Sequence, residues 1–249
     1  MRTGLLASVR TLDEALIAAR AGADIIDMKA PEHGSLGALP ADEVRRIVLA
    51  LDGLRRTSAT IGDLPMDAGI IVPAVEAMAA TGVDYVKIGI YPNGDADAVT
   101  RALTPLCLGG CRIVAVLFGD CAPGLDWPTR LAERGFTGCM LDTLDKALGP
   151  LTAICSPDYL EDFVAEVRAT GLLCGLAGSL GATDIPRLLK NPAPDYLGFR
   201  GALCTGRERT AALDPARVEA LVARLRDSNE HSRPRIPPET AVSHANVPN

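Results

Sequence analysis

The sequence predicts an α/β protein folded as a (β/α)8 barrel, and three observations predict it. Strand-like and helix-like segments alternate eight times over residues 4–226. No G-x-G-x-x-G follows the first strand, where the rival arrangement, a doubly wound open sheet, would bind a dinucleotide. Polar and charged residues gather at the C-terminal ends of many strands and not at one crevice, as they do where a barrel collects its functional groups.

Residues 4–9 form a short apolar strand. Thr11 offers an N-cap with Asp13 and Glu14 behind it, and Gly22 ends the helix that follows. Strand two spans 25–30. The next helix, 40–54, carries Asp42 and Glu43 in its first turn and Arg55 and Arg56 near its end, as the helix dipole favours. Small and apolar residues alternate over 57–63, which predicts strand three, and a helix over 69–80 stops at Gly82. Strand four is 85–91, followed by a helix over 97–106. Strand five, 112–120, is strongly apolar, and a helix over 127–134 is closed by Gly135. Strand six is 138–144. The helix over 157–170 places Tyr159, Phe163, Val164 and Val167 at helical spacing and ends at Gly171. Strand seven (173–179), a short helix (184–190) and strand eight (196–203) follow. Asp214 and Pro215 open the last helix, which runs to 226. Residues 1–227 are therefore expected to be one catalytic domain. Residues 228–249 are proline-rich, lack an apolar period and are expected to be a disordered tail.

The bulk composition excludes several function classes. The chain has 249 residues, 48% of them hydrophobic, enough for a large core. A net charge of −6 argues against a general nucleic-acid binder, which needs a basic face. The N-terminal apolar run is too short for a signal peptide or a membrane span, so a cytoplasmic location without membrane partners is expected. Seven cysteines without a C-x-x-C indicate neither a disulfide framework nor a zinc ribbon. Of three histidines, His231 and His244 fall in the tail, leaving His33, so neither a metal site nor a cofactor is expected. One fact is sharper. Of 25 cationic residues, only Lys29, Lys87, Lys146 and Lys190 are lysines; the others are arginine. A lysine here is less often solvated filler, which raises the case for amine chemistry.

In a barrel the C-terminal strand ends converge on one bowl. They bring Asp27 and Lys29 from strand two, Thr60 and Asp63 from three, Lys87 from four, Asp120 from five, Asp142 and nearby Lys146 from six, Gly178 and Ser179 from seven, and Arg200 and Gly201 from eight. Each has a plainer reading. Lys29 and Lys87 could simply be ion-paired with Asp27 and Asp142, although such pairs seldom add stability when buried. Lys146 could be a surface residue, and Asp63 and Asp120 could cap turns. The functional reading is amine catalysis. A buried lysine beside another cation has a depressed pKa, attacks a carbonyl and forms an iminium, while Asp27 and Asp142 move protons. Gly178, Ser179, Arg200 and Gly201 occupy the loops that hold phosphate in this fold, which points to a phosphorylated substrate.

A family resemblance rests on these same segments. Residues 22–29 (GADIIDMK), 34–37 (GSLG), 58–63 (SATIGD), 84–89 (DYVKIG), 140–143 (MLDT) with Lys146, 176–179 (LAGS) and 198–202 (GFRGA) together resemble the (5-formylfuran-3-yl)methyl phosphate synthases of methanofuran biosynthesis, found in methanogens with relatives in methylotrophic bacteria. The resemblance runs in order from about residue 5 to residue 205. It implies a TIM barrel and a lyase that condenses two glyceraldehyde 3-phosphate molecules, with loss of one phosphate and two waters. It also implies that Lys29 carries a Schiff base and that Asp27, Lys87, Asp142 and Lys146 complete the catalytic set. Ala30 departs from the family's usual Asn, and the loop 121–124 is short. The alternatives are another Schiff-base aldolase acting on a sugar phosphate, and a non-catalytic phosphate-binding barrel. A homo-oligomer is expected from the apolar faces of barrel helices.

Overall fold

The computed structural model describes residues 2–190 and 192–231. Eight parallel strands close into a barrel in chain order. They are β1 (Gly4–Val9), β2 (Ile25–Met28), β3 (Arg56–Thr60), β4 (Tyr85–Gly89), β5 (Ile113–Phe118), β6 (Gly138–Asp142), β7 (Leu173–Leu176) and β8 (Tyr196–Phe199). Around them lie α1 (Leu12–Ala21), α2 (Ala41–Leu51), α3 (Ala68–Ala79), α4 (Ala96–Ala102), α5 (Thr104–Leu108), α6 (Trp127–Glu133), α7 (Leu151–Ile154), α8 (Pro157–Ala169), α9 (Ile185–Leu188) and α10 (Pro215–His231). The helix starts follow local chemistry. The Thr11 side chain accepts the Glu14 N–H ahead of α1, and Ser156 accepts the Tyr159 N–H ahead of α8.

Strand alternation divides the apolar residues into two cores. One face meets the helices through residues such as Ala15, Ile47, Val75, Phe163 and Val167. The other fills the barrel with Leu6, Val114, Val116, Met140 and Tyr196. Tyr196 reaches inside because Gly175 on the adjacent strand is bare: a Cβ there would lie 2.3 Å from Tyr196 Cζ. This plug is the floor on which the polar groups stand.

The strands two to eight end earlier than the sequence predicts, so Lys29, Asp63, Asp120, Lys146, Ser179 and Arg200 lie on the loops just above the barrel rim. Apolar composition continues through these positions, but the ladder stops where the chain turns outward. The helix predicted over 97–106 is split into α4 and α5, because Pro105 has no N–H to carry the ladder through. The last helix continues past 226 to His231. Residues 232–249, most of the expected tail, lie outside the described residues. All seven cysteines are free, and five of them are buried. Among the described residues, no helix is long and apolar enough to cross a membrane.

Candidate active site

Four strands build one side of the site. Inward-facing Ser8, Asp27, Ser58 and Lys87 stand on β1 to β4, and parallel register sets Ser8 beside Asp27 and Asp27 beside Ser58. Asp27 is fully buried and accepts hydrogen bonds from Ser8 Oγ (3.0 Å), Ser58 Oγ (2.6 Å) and Lys87 Nζ (2.9 Å). Burial pushes this carboxyl up, but the charges of Lys87 and Lys29 and the Ser58 hydroxyl together hold it below the ordinary carboxylate range.

Across the barrel the arrangement repeats. Asp142, the last residue of β6, accepts the Thr143 N–H (2.7 Å) and Lys146 Nζ (2.6 Å). Lys146 also donates to the Thr143 carbonyl and to its hydroxyl. Burial raises the Asp142 carboxyl, but Lys146 and Lys29 overcome it and bring the value down to about 2.

Lys29 stands between these two pairs and belongs to neither. Lys87 is ion-paired with Asp27 and Lys146 with Asp142, whereas among the described residues no carboxylate lies within ion-pair distance of Lys29. Among the described residues its one hydrogen bond is a long contact, 3.5 Å, to the Ser35 carbonyl. Burial lowers its pKa most; Asp142 and Asp27 raise it, Lys87 and Lys146 lower it again, and the balance falls at about 8. Roughly a tenth of such an amine is uncharged at pH 7, against well under a thousandth for an ordinary lysine.

The loop after β2 is fixed over this amine. Asp63 accepts the Ser35 N–H (2.9 Å), the Leu36 N–H (2.8 Å) and the Tyr91 hydroxyl (2.6 Å). Gly34 is required there: its φ is +111°, and a Cβ would sit 1.9 Å from Asp63 Oδ2. Ser35 Oγ donates to the Leu144 carbonyl at 2.6 Å, tying this loop to the one after β6. Asp120 in turn accepts the N–H groups of Leu144 and Asp145, each at 2.8 Å. Thr60 Oγ1 donates to the Gly37 carbonyl at 3.0 Å. Asp63, Asp120 and Thr60 are therefore loop anchors and not proton carriers.

Above the floor opens a cavity of about 500 Å³. Asp27, Lys29, Lys87, Asp142 and Lys146 border it, and so do Gly178, Ser179, Arg200 and Gly201. The sequence-predicted residues are thus brought together, one of them already engaged. The phosphate role expected for Arg200 is not supported by its contacts, since all five of its N–H donors are engaged within the protein. Nε bonds the Arg209 carbonyl (2.8 Å); Nη1 bonds the Ser8 carbonyl (3.1 Å) and Glu14 (2.6 Å); Nη2 bonds Glu14 (3.3 Å) and the Ala211 carbonyl (2.8 Å). Binding an anion would leave the buried Glu14 carboxylate unpaired.

Sequence reasoning passed over Ser8, Ser58 and Glu14. The rule that selected Asp27, a polar residue near a strand's C-terminal end, also selects Ser8. Glu14 carried no usable signal, since an acid in a helix's first turn is ordinary. Among the described residues, no group of three or more His, Cys, Asp or Glu side chains is placed to hold a metal ion.

Comparisons with known proteins agree on family and fold. The sequence model of the 4-HFC-P synthase family matches residues 5–222. A Methylorubrum extorquens protein provisionally named (5-formylfuran-3-yl)methyl phosphate synthase is 48% identical over 90% of this chain and 92% of its own length. The (5-formylfuran-3-yl)methyl phosphate synthase of Methanopyrus kandleri is 35% identical over 84% of this chain and 92% of its own. Among solved structures, 3-keto-L-gulonate-6-phosphate decarboxylase of Vibrio cholerae aligns with a TM-score of 0.68 at 14% identity, covering 94% of this chain and 100% of that one. Phosphoribosyl anthranilate isomerase of Thermus thermophilus aligns at 0.64 and 17% identity, covering 91% and 99%. At these identities the structural likeness shows the barrel fold alone.

Proposed function

The chain belongs to the 4-HFC-P synthase family, and from that premise we propose that it condenses two glyceraldehyde 3-phosphate molecules into (5-formylfuran-3-yl)methyl phosphate, with Lys29 carrying one of them as a Schiff base. One phosphate and two waters leave, which balances the two trioses against the furan. The reaction makes the chain a lyase of methanofuran-type cofactor biosynthesis.

The observation that carries this reading is the division of the three cavity lysines, of which Lys29 and Lys87 are buried and Lys146 is half-buried. Two are ion-paired with their own carboxylates, and the third, Lys29, has no carboxylate within ion-pair distance among the described residues and a pKa brought down to about 8. Attack of this amine on an aldehyde and loss of water give an iminium. The iminium acidifies the adjacent C–H, and proton removal there allows the phosphate on the next carbon to depart. The resulting enol carbon joins the second triose, ring closure with loss of two waters forms the furan, and one water hydrolyses the iminium to free Lys29, returning the water lost when it formed. Asp27 and Asp142 are ionised and flank Lys29, so each can take a proton, while the ammonium groups of Lys87 and Lys146 can return one. That Gly178, Ser179 and Gly201 border the cavity supports the reading that backbone N–H groups of these loops receive a phosphate.

Incubation with glyceraldehyde 3-phosphate tests the proposal. Release of inorganic phosphate together with an absorbing furan aldehyde of the stated mass is expected. Carbon–carbon bond formation without a furan would assign the chain to another Schiff-base aldolase, and no turnover would remove the proposal.

A further inference from the structure

We infer that Arg207 and Arg209, with Arg217 on the same cavity, form a second phosphate-binding site, distinct from the backbone site at Gly178 and Ser179. Its ligand class is a phosphate monoester of a small sugar. The assignment rests on the proposed function in one respect: a reaction of two phosphorylated trioses brings two phosphates into one cavity. The engaged Arg200 can serve neither.

All three arginines border the cavity. The Arg207 side chain makes no hydrogen bond or ion pair among the described residues. Arg209 donates once, to the Gly34 carbonyl at 2.8 Å, and bridges the loop after β8 to the loop over Lys29. Among the described residues, only Arg217 of the three has a carboxylate within ion-pair distance, Asp214 at 3.6 Å. Glu208 separates Arg207 from Arg209 in the chain but is ion-paired with neither, so in a chain of net charge −6 this wall still concentrates positive charge.

The backbone that presents these groups is held from beneath. Arg200 binds the carbonyls of Arg209 and Ala211, and its partner Glu14 accepts the Leu213 N–H at 3.2 Å. A buried ion pair thus suspends the arginine loop. Gly206 and Arg207 both take left-handed conformations, with φ of 65° and 63°. That geometry is disfavoured for a side chain and persists where the surroundings impose it. The choice of arginine also suits the chemistry. Its planar fork matches phosphate oxygens, it stays charged, and unlike lysine it does not form a Schiff base with the aldehydes that Lys29 must capture.

The test is calorimetric titration of the full-length chain with inorganic phosphate at low salt, comparing wild type, Arg207→Gln and Arg207→Gln/Arg209→Gln. Arg207 has no side-chain partner to lose, so its substitution leaves folding intact. Two phosphates per wild-type chain are expected, with the weaker site lost by about ten-fold or more in affinity in Arg207→Gln and absent in the double variant. The other site should keep its affinity. One phosphate per wild-type chain, or identical isotherms for all three proteins, overturns the assignment. Because the readout is binding, it decides the site even if glyceraldehyde 3-phosphate is not turned over. Where turnover is seen, a raised KM in Arg207→Gln supports the site and an unchanged KM contradicts it.

Discussion

Replacing Lys87 by methionine should expose how much of the site is held by charge. Lys87 and Asp27 are 2% and 0% exposed, and their ion pair spans 2.9 Å. Removing one member of a buried pair costs about 3–5 kcal/mol, because the other charge stays buried without compensation. Asp27 keeps its bonds from Ser8 and Ser58, so the lower end, about 3 kcal/mol, applies here. For a chain of this size that corresponds to a fall in Tm of roughly 6–12 °C. The loss should depend on pH. In the wild type the Asp27 carboxyl lies below its unfolded value, so its contribution is present above that value and fades as pH falls through the folded one. Without Lys87 the largest influence holding the carboxyl down is gone, so it rises relative to wild type. The deficit against wild type should therefore grow as pH rises through the raised value. Asp27→Asn in the Lys87→Met background should restore at least about 1 kcal/mol, since the amide removes the buried charge. Lys87→Arg should keep most of the stability and lose turnover, because arginine does not give up a proton. Thermal and urea unfolding across pH check the stabilities, and the glyceraldehyde 3-phosphate assay checks the turnover. A loss below about 1 kcal/mol, or equal losses in Lys87→Met and the double variant, would refute the reasoning.

Three further outcomes follow from the same geometry. The free amine of Lys29 is the reactive form, so kcat/KM should rise with pH and level off above about 8; a limb near the ordinary lysine value would contradict the depressed pKa. Arg200→Met strands Glu14 in a buried position and frees the backbone at Arg209 and Ala211, so urea unfolding should show a loss of about 3–5 kcal/mol and hydrogen exchange should accelerate over residues 205–213. Gly34→Ala forces a Cβ against Asp63 at a φ of +111°; it should cost about 1–3 kcal/mol and lower kcat, and an unchanged Tm would count against the loop-anchor role of Asp63.

The barrel was legible because its signals are local and repeated: apolar runs, helix caps and glycine stops recur eight times, and topology leaves few ways to assemble them. The five catalytic candidates were legible for a different reason. Asp27, Lys29, Lys87, Asp142 and Lys146 are polar residues at the ends of apolar runs, and lysine is scarce elsewhere. Their pairing was not legible. Nothing in the order of residues says that Lys87 goes to Asp27 and Lys146 to Asp142, leaving Lys29 over, because that depends on distances between strands far apart in sequence. Arg200 shows the opposite failure. An arginine before a glycine at the end of strand eight reads as a phosphate ligand until the fold brings Glu14, 186 residues away, against it. Ser8 and Ser58 were overlooked because a serine on a short strand has no distinguishing context until register sets it beside a buried carboxylate.

The claim on which the account depends is that Lys29, and no other lysine, is the nucleophile. Borohydride reduction in the presence of glyceraldehyde 3-phosphate, followed by peptide mass spectrometry, tests it directly. A reduced triose adduct on Lys29 alone, absent from Lys29→Ala, is the predicted result. An adduct on Lys87 or Lys146 instead, or full turnover by Lys29→Ala, would contradict it.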